Sequence, residues 1–260
     1  MLNIVLKGLI TITISLLVIP GLYAQINTEV MRRQALQSGL SGEFSLQGSY
    51  KKGNTNVFDL GSGLRLDYFL EKYHFFSVAS YTHGEKDDQK YENKGFVHVR
   101  GLRQWNKHWM TEIFIQEEFN EFLRLSERTL LGSGFRIALP IKNEKAEQTH
   151  GHIFFGLGAM WERERYRDQV KPNSNLLRST NYLSMHWKLS ETVSSILTIY
   201  YQVAVNQIND YRILAESGLS FKLFGNVEFK IQMNYRFDNE PPPQVKKYDI
   251  ELKNGILVRF

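Results

Sequence analysis

The chain has 260 residues, 42% of them hydrophobic and 23% charged, and it contains no cysteine. A disordered chain, a helical membrane bundle, disulfides, thiolate metal sites and cysteine nucleophiles are excluded together. Its 32 basic and 27 acidic residues leave a net charge of +5 with no polybasic run, which argues against nucleic acid as a partner.

Residues 1–24 read as a secretory signal peptide. Lys7 precedes an apolar stretch at 8–19, and Pro20 and Gly21 break it shortly before Ala24, a small residue suited to cleavage. Residues 25–40 form a short pre-barrel segment. Helix formers around Val30 and Arg33 follow an Asn27 or Thr28 cap, which predicts a short helix at a periplasmic or lumen edge. After residue 24 no apolar run approaches the roughly 18 residues of a spanning helix, so a membrane would be crossed only by a closed barrel.

From 41 to 260 the chain reads as an all-β, antiparallel, up-and-down transmembrane barrel. Phe58, Leu60, Leu64, Leu66 and Tyr68 alternate with Asp59, Gly61, Gly63, Arg65 and Asp67. Leu131, Phe135, Ile137 and Leu139 alternate with Gly132, Gly134 and Arg136; Ile153, Phe155, Leu157, Ala159 and Trp161 alternate with His152, Gly156, Gly158 and Glu162. The clearest alternation is in 193–206, 227–237 and 247–260, where Leu197, Ile199 and Tyr201, then Phe229, Ile231 and Met233, then Ile250 and Leu252 mark the apolar face. Segments near 41–52, 56–70, 73–83, 95–105, 109–122, 129–139, 152–165, 178–188, 192–206, 211–223, 227–237 and 247–260 predict about twelve strands. Several are longer than the five or six residues usual in a soluble sandwich.

Connections should alternate between short periplasmic turns and longer outer loops. Glu71-Lys72, Asn106-Lys107-His108, Ser190-Glu191 and Phe224-Gly225-Asn226 are tight, whereas 84–94, 166–177 and 238–246 are long and polar. The stretch 140–151 breaks this rule: it should be periplasmic yet is long and charged, so it is an exception or the count is one hairpin off. Trp105, Trp109 and Trp187 beside the tight turns, with Trp161, Phe119, Phe122 and Phe237 toward the opposite ends, predict two aromatic belts.

With the polar face turned inward, the lumen-facing charged candidates are Arg65, Arg100, Glu112, Glu118, Arg136, Glu162, Glu228, Lys230 and Arg236. The signs nearly balance, which predicts paired charges across a narrow lumen, either hydrated or closed, rather than a ring selecting one ion sign. Of the histidines only His150 and His152 are close in sequence, and no metal site is expected. Glu117 should point outward.

The motifs Gly53-Asn54-Thr55-Asn56, Asn93-Lys94-Gly95-Phe96 with Arg100, Glu112, Phe114 and Gln116, and Arg128 with Leu130-Leu131-Gly132-Ser133-Gly134-Phe135-Arg136 carry a family resemblance. Together they resemble the YdiY-type salt-induced outer-membrane proteins, a family filed as a domain of unknown function. The resemblance implies an outer-membrane barrel and a link to osmotic stress, with no catalytic residues to carry over. Gly53, Asn54 and Thr55 also read directly as a hairpin turn. The final Phe260 resembles the terminal aromatic of outer-membrane barrels, which implies the barrel-assembly machinery and outer-membrane lipid as partners. The expected function is non-enzymatic and cofactor-free: a narrow passive channel for small solutes, or an envelope protein. A lipid hydrolase or acyltransferase using His83, or Ser184 with His186, and a receptor or adhesin built on the outer loops are the alternatives.

Overall fold

The computed structural model describes residues 38–53, 56–142, 149–169, 171–225 and 227–258. They form β1 (Gly39–Lys51), β2 (Val57–Leu70), β3 (Tyr73–Lys86), β4 (Gln89–Gln104), β5 (Trp109–Asn120) and β6 (Leu125–Lys142). The meander continues through β7 (Thr149–Tyr166), β8 (Ser174–Lys188), β9 (Val193–Ala204), β10 (Gln207–Phe224), β11 (Val227–Asp238) and β12 (Tyr248–Val258). All twelve lie in one antiparallel sheet in chain order. Short 3₁₀ turns at Glu121–Leu123 and Arg167–Gln169 follow β5 and β7.

Period-two alternation puts successive side chains on opposite faces. Here the sorting is the reverse of a soluble domain. Phe135, Ile113, Leu157, Leu252 and Ile115 are exposed, whereas Arg128, Arg178, Asp67, His98 and Glu162 are buried. Arg212 of β10 bonds Glu162 of β7 on that buried face, although two strands lie between them. The sheet is therefore curled tightly around its polar side.

Glycine makes the curl possible where aromatic rings cross the sheet. Phe114 stands directly opposite Gly132, and Tyr182 opposite Gly156. A Cβ at either glycine would collide with the facing ring, so each ring lies flat on bare backbone. Phe114, Leu130 and Met160 form an apolar layer inside the polar face.

Several boundaries differ from the sequence expectations. Gly39 and Leu40, assigned above to the pre-barrel segment, belong to β1. The stretch 84–94 is no loop: β3 and β4 stay paired out to Lys86 and Gln89, joined by Asp87 and Asp88 with φ of 48° and 62°. Positive φ at both central positions is the hairpin turn whose twist matches the strands. The stretch 166–177 is shortened in the same way, because β8 begins at Ser174.

At 140–151 no hairpin is missing. The β6–β7 ladder extends through Pro140↔His152 to Lys142↔Thr149. Pro140 is tolerated because its missing N–H falls on the side facing β5, beyond that strand's last pair, Trp109↔Ile137. The signal peptide, the rest of the pre-barrel segment, Asn54, Thr55 and Phe260 lie outside the described residues.

Candidate functional site

Burying a charge is costly unless it is paired and hydrogen-bonded, so the enclosed face must supply partners for its own side chains. Near the ends of the strands that carry the connections after β5, β7, β9 and β11, they assemble into one network. Arg128 of β6 donates from Nη1 to Glu118 Oε1 at 2.9 Å and from Nε to Glu162 Oε2 at 2.9 Å. Arg178 of β8 donates to Glu162 Oε1 at 2.5 Å and to Asp210 Oδ2 at 2.8 Å. Arg212 donates to Glu162 at 2.8 Å, Glu164 at 3.1 Å and Asp238 at 3.1 Å. Glu162 thus serves three guanidinium groups from three strands and has no exposed surface.

Apolar side chains close over this network. Asn120 Oδ1 accepts from the backbone N–H groups of Phe122 and Leu123, fixing the 3₁₀ turn that carries Leu123 inward. Leu123, Leu125 and Pro242 then meet Arg128, Glu164, Arg212 and Arg236 around a void of about 20 Å³, room for about one water. Strand β6 and the connection after β11 therefore share a wall across the polar face. On the outside of the turn, burial pushes the Glu121 carboxyl up. The hydrogen bond from Asn93 and the Arg167 guanidinium at 2.8 Å outweigh that effect and hold it below the ordinary glutamate range.

A second arm runs from Glu118 toward β2. Gln116 Nε2 donates to Glu118 at 2.6 Å, and Arg100 Nε donates to His98 Nε2 at 3.2 Å. Since a guanidinium only donates, His98 accepts at Nε2; its Nδ1–H is then the donor to Gln116 Oε1 at 2.9 Å, and the ring is neutral. Phe76 lies between Arg65 and Arg100, at 4.9 and 5.9 Å. Arg65 pairs with Asp67 at 2.5 Å, and His74 meets the same carboxylate at 2.9 Å. Polar contacts broken only by Phe76 therefore extend from β2 to β11.

The nine charged candidates named from the sequence all fall on this face, but in different company. Glu118 and Glu162 are in the network, and Arg65, Arg100 and Glu112 are in the second arm, with Arg100 and Glu112 at 3.4 Å. Arg236 meets Asp249 at 3.3 Å on the network's edge. Arg136 lies over the Phe154 ring at 3.8 Å. Glu228 and Lys230 lie half-buried near the far end of β11, opposite Lys222 and Ser220. Gly53 has a φ of +146°, as a turn glycine does, and Asn56 ties that turn to Asp87 through two 2.8 Å bonds.

Sequence reasoning missed Arg178, Asp210 and Asp238 as inward charges and knew Arg128 only from the family motif. Parity was the available signal, since Leu177 faces out and its neighbour must face in. Of the enzyme candidates, His83 bonds Glu85 on the outer face, whereas Ser184 and His186 do meet, at 3.1 Å, with Ser184 fully buried and also bonded to Thr198 at 2.8 Å.

No curated protein matches the chain. Among solved structures, the NanC porin is similar with a TM-score of 0.50 at 9% identity, covering 85% of this chain and 98% of that one. The KdgM porin, solved in complex with disordered oligogalacturonate, has a TM-score of 0.48 at 9% identity, covering 79% of this chain and 96% of the other. The first likeness is one of fold alone. A family model described as "Protein of unknown function, DUF481" matches residues 20–260, and the chain belongs to that family, the YdiY-like one that its motifs resemble.

Proposed function

We propose that this protein is a closed twelve-stranded barrel of the bacterial outer membrane, non-enzymatic, with a lumen narrowed by the ion-pair network so that only small solutes pass. The observation that carries this reading is the inverted burial: polar side chains, many of them charged, enclosed on one face of the sheet, large apolar ones exposed on the other. Water does not reward that arrangement, whereas hydrocarbon does. Trp105 and Trp109, exposed at the β4–β5 connection, and Trp161 toward the opposite ends suit two membrane interfaces. Barrel closure between β1 and β12 belongs to the proposal, because open strand edges are not tolerated in lipid.

The reading is tested by expressing the full chain in a Gram-negative host and fractionating the envelope, then reconstituting the protein into liposomes. Recovery in outer membranes, extraction only by detergent and permeation by glycerol but not by disaccharides are expected. A freely soluble monomer would overturn the barrel, and liposomes no more permeable than protein-free controls would overturn the channel.

A further inference from the structure

Arg103 of β4 faces outward, away from the enclosed ion pairs, close to the turns that join β2 to β3 and β4 to β5. Its neighbour Leu102 is buried on the polar face, whereas Arg103 is exposed. Tyr73 of β3 and Thr111 of β5 are its cross-strand partners. Tyr73, Phe75, Trp105 and Trp109 around it are exposed as well. The centre of a bilayer penalises a guanidinium, but at an aromatic belt the side chain reaches headgroup level.

The guanidinium is held by rings. Its carbon lies 3.7 Å from the centre of Trp105 and 5.8 Å from that of Tyr73. The indole is fixed in turn, since its N–H donates to Thr111 Oγ1 at 3.0 Å. Ring contacts hold a guanidinium without consuming its five N–H donors, and among the described residues Arg103 makes no hydrogen bond or ion pair. Two more cations flank it. Lys72 and Lys107 are exposed on the turns, and the Gln104 N–H bonds the Lys72 carbonyl at 2.7 Å, which holds the two turns side by side. Glu71 is the only carboxylate among the described residues of these turns, and the outward rows of β2 to β6 carry none at this end. The opposite end differs, because there the outward Arg165 already has Glu127 at 2.7 Å.

We propose that Arg103, with Lys72 and Lys107, holds the phosphate of an anionic glycerophospholipid at the membrane interface. The acyl chains then lie along Val99, Ile113 and Phe135, which continue the exposed apolar face toward the middle of the sheet. The site rests on the membrane reading and not on conductance.

Native mass spectrometry of the full chain, delipidated in a nonionic detergent, tests it with phosphatidylglycerol, phosphatidylcholine and diacylglycerol of equal chain length. Phosphatidylglycerol should bind about tenfold tighter than phosphatidylcholine, whose ammonium group meets a cationic rim, and diacylglycerol should bind weakest. Arg103→Gln should weaken phosphatidylglycerol binding about tenfold and Arg103→Lys less. Arg163→Gln, which removes an exposed outward arginine near the opposite end, should leave it unchanged. Heat-modified gel mobility shows which variants fold. Unchanged affinity in folded Arg103→Gln, an equal loss in Arg163→Gln, or phosphatidylglycerol bound no tighter than either comparison lipid overturns the proposal. Should Arg103→Gln not fold, the lipid comparison and Arg103→Lys decide it. A freely soluble monomer would defeat the membrane reading itself, whereas a detergent-dependent barrel without lipid preference defeats this site alone.

Discussion

Arg128 holds Glu118 and Glu162 through direct hydrogen bonds and lies 3.3 Å from Glu164, all three enclosed. Such a cluster is no net stabiliser simply by existing, since desolvation offsets much of the attraction; removing one member, however, leaves the others uncompensated, at a cost of about 3–5 kcal/mol. Arg128→Met is therefore expected to lower the unfolding free energy by about that much, measured by urea titration of the refolded barrel in detergent. The partly exposed Arg165–Glu127 pair at 2.7 Å is the internal comparison, and Arg165→Met should cost below about 1 kcal/mol. Equal losses would mean that the network is hydrated. How far these roles can be read from sequence follows from geometry. Parity assigns a face to Glu118 or Glu162, but it cannot say that Glu162 is shared by β6, β8 and β10, because that depends on how far the sheet curls.

At the scale of the strand, the outer face carries the main expectation. Ile115 of β5 pairs with Val99 on one side and Leu131 on the other, and all three are exposed. If hydrocarbon covers them, Ile115→Arg should cost about 2–4 kcal/mol, while the same change at Thr129, nearer the end of β6, should cost about 0–1 kcal/mol. The folded fraction in lipid vesicles, titrated with urea, checks the depth dependence; equal small costs at both sites would indicate that water, not lipid, covers this face. The same contrast explains which strands were readable in advance. Strand β11 alternates cleanly from Val227 to Phe237 because one side is polar throughout and the other is apolar. The β3–β4 hairpin beyond Gly84 loses its pattern because both of its sides are polar, so it resembled a loop although the pairing continues. Strand β6 continues past Leu139 although a proline normally ends a ladder, and only the registry with β5 reveals why Pro140 does not do so here.

Across the whole molecule the enclosed face is layered: ion pairs under an apolar cover at one end, Phe114, Leu130 and Met160 between, and an open cavity at the other. Two features narrow the first layer, the network itself and its cover of Leu123, Leu125 and Pro242. They differ in strength. The cover rests on a nine-residue connection, 239–247, whereas the network is anchored in β5 to β8, β10 and β11 by multiple charge-assisted bonds. Replacing that connection with a short turn removes Pro242 and should leave single-channel conductance in planar bilayers close to the wild-type value, because the network still spans the face. Adding Glu162→Ala and Arg212→Ala deletes opposite charges together, so no lone ion is stranded, and removes the contact that joins β7 to β10 across the intervening strands. Conductance should then rise several-fold, by the widening of a short constriction. A full rise from the loop replacement alone would assign the constriction to the cover. No rise in the combined variant, with folding verified by heat-modified mobility, would place it at the Phe114–Met160 layer instead, where Phe114→Ala becomes the variant expected to open the path.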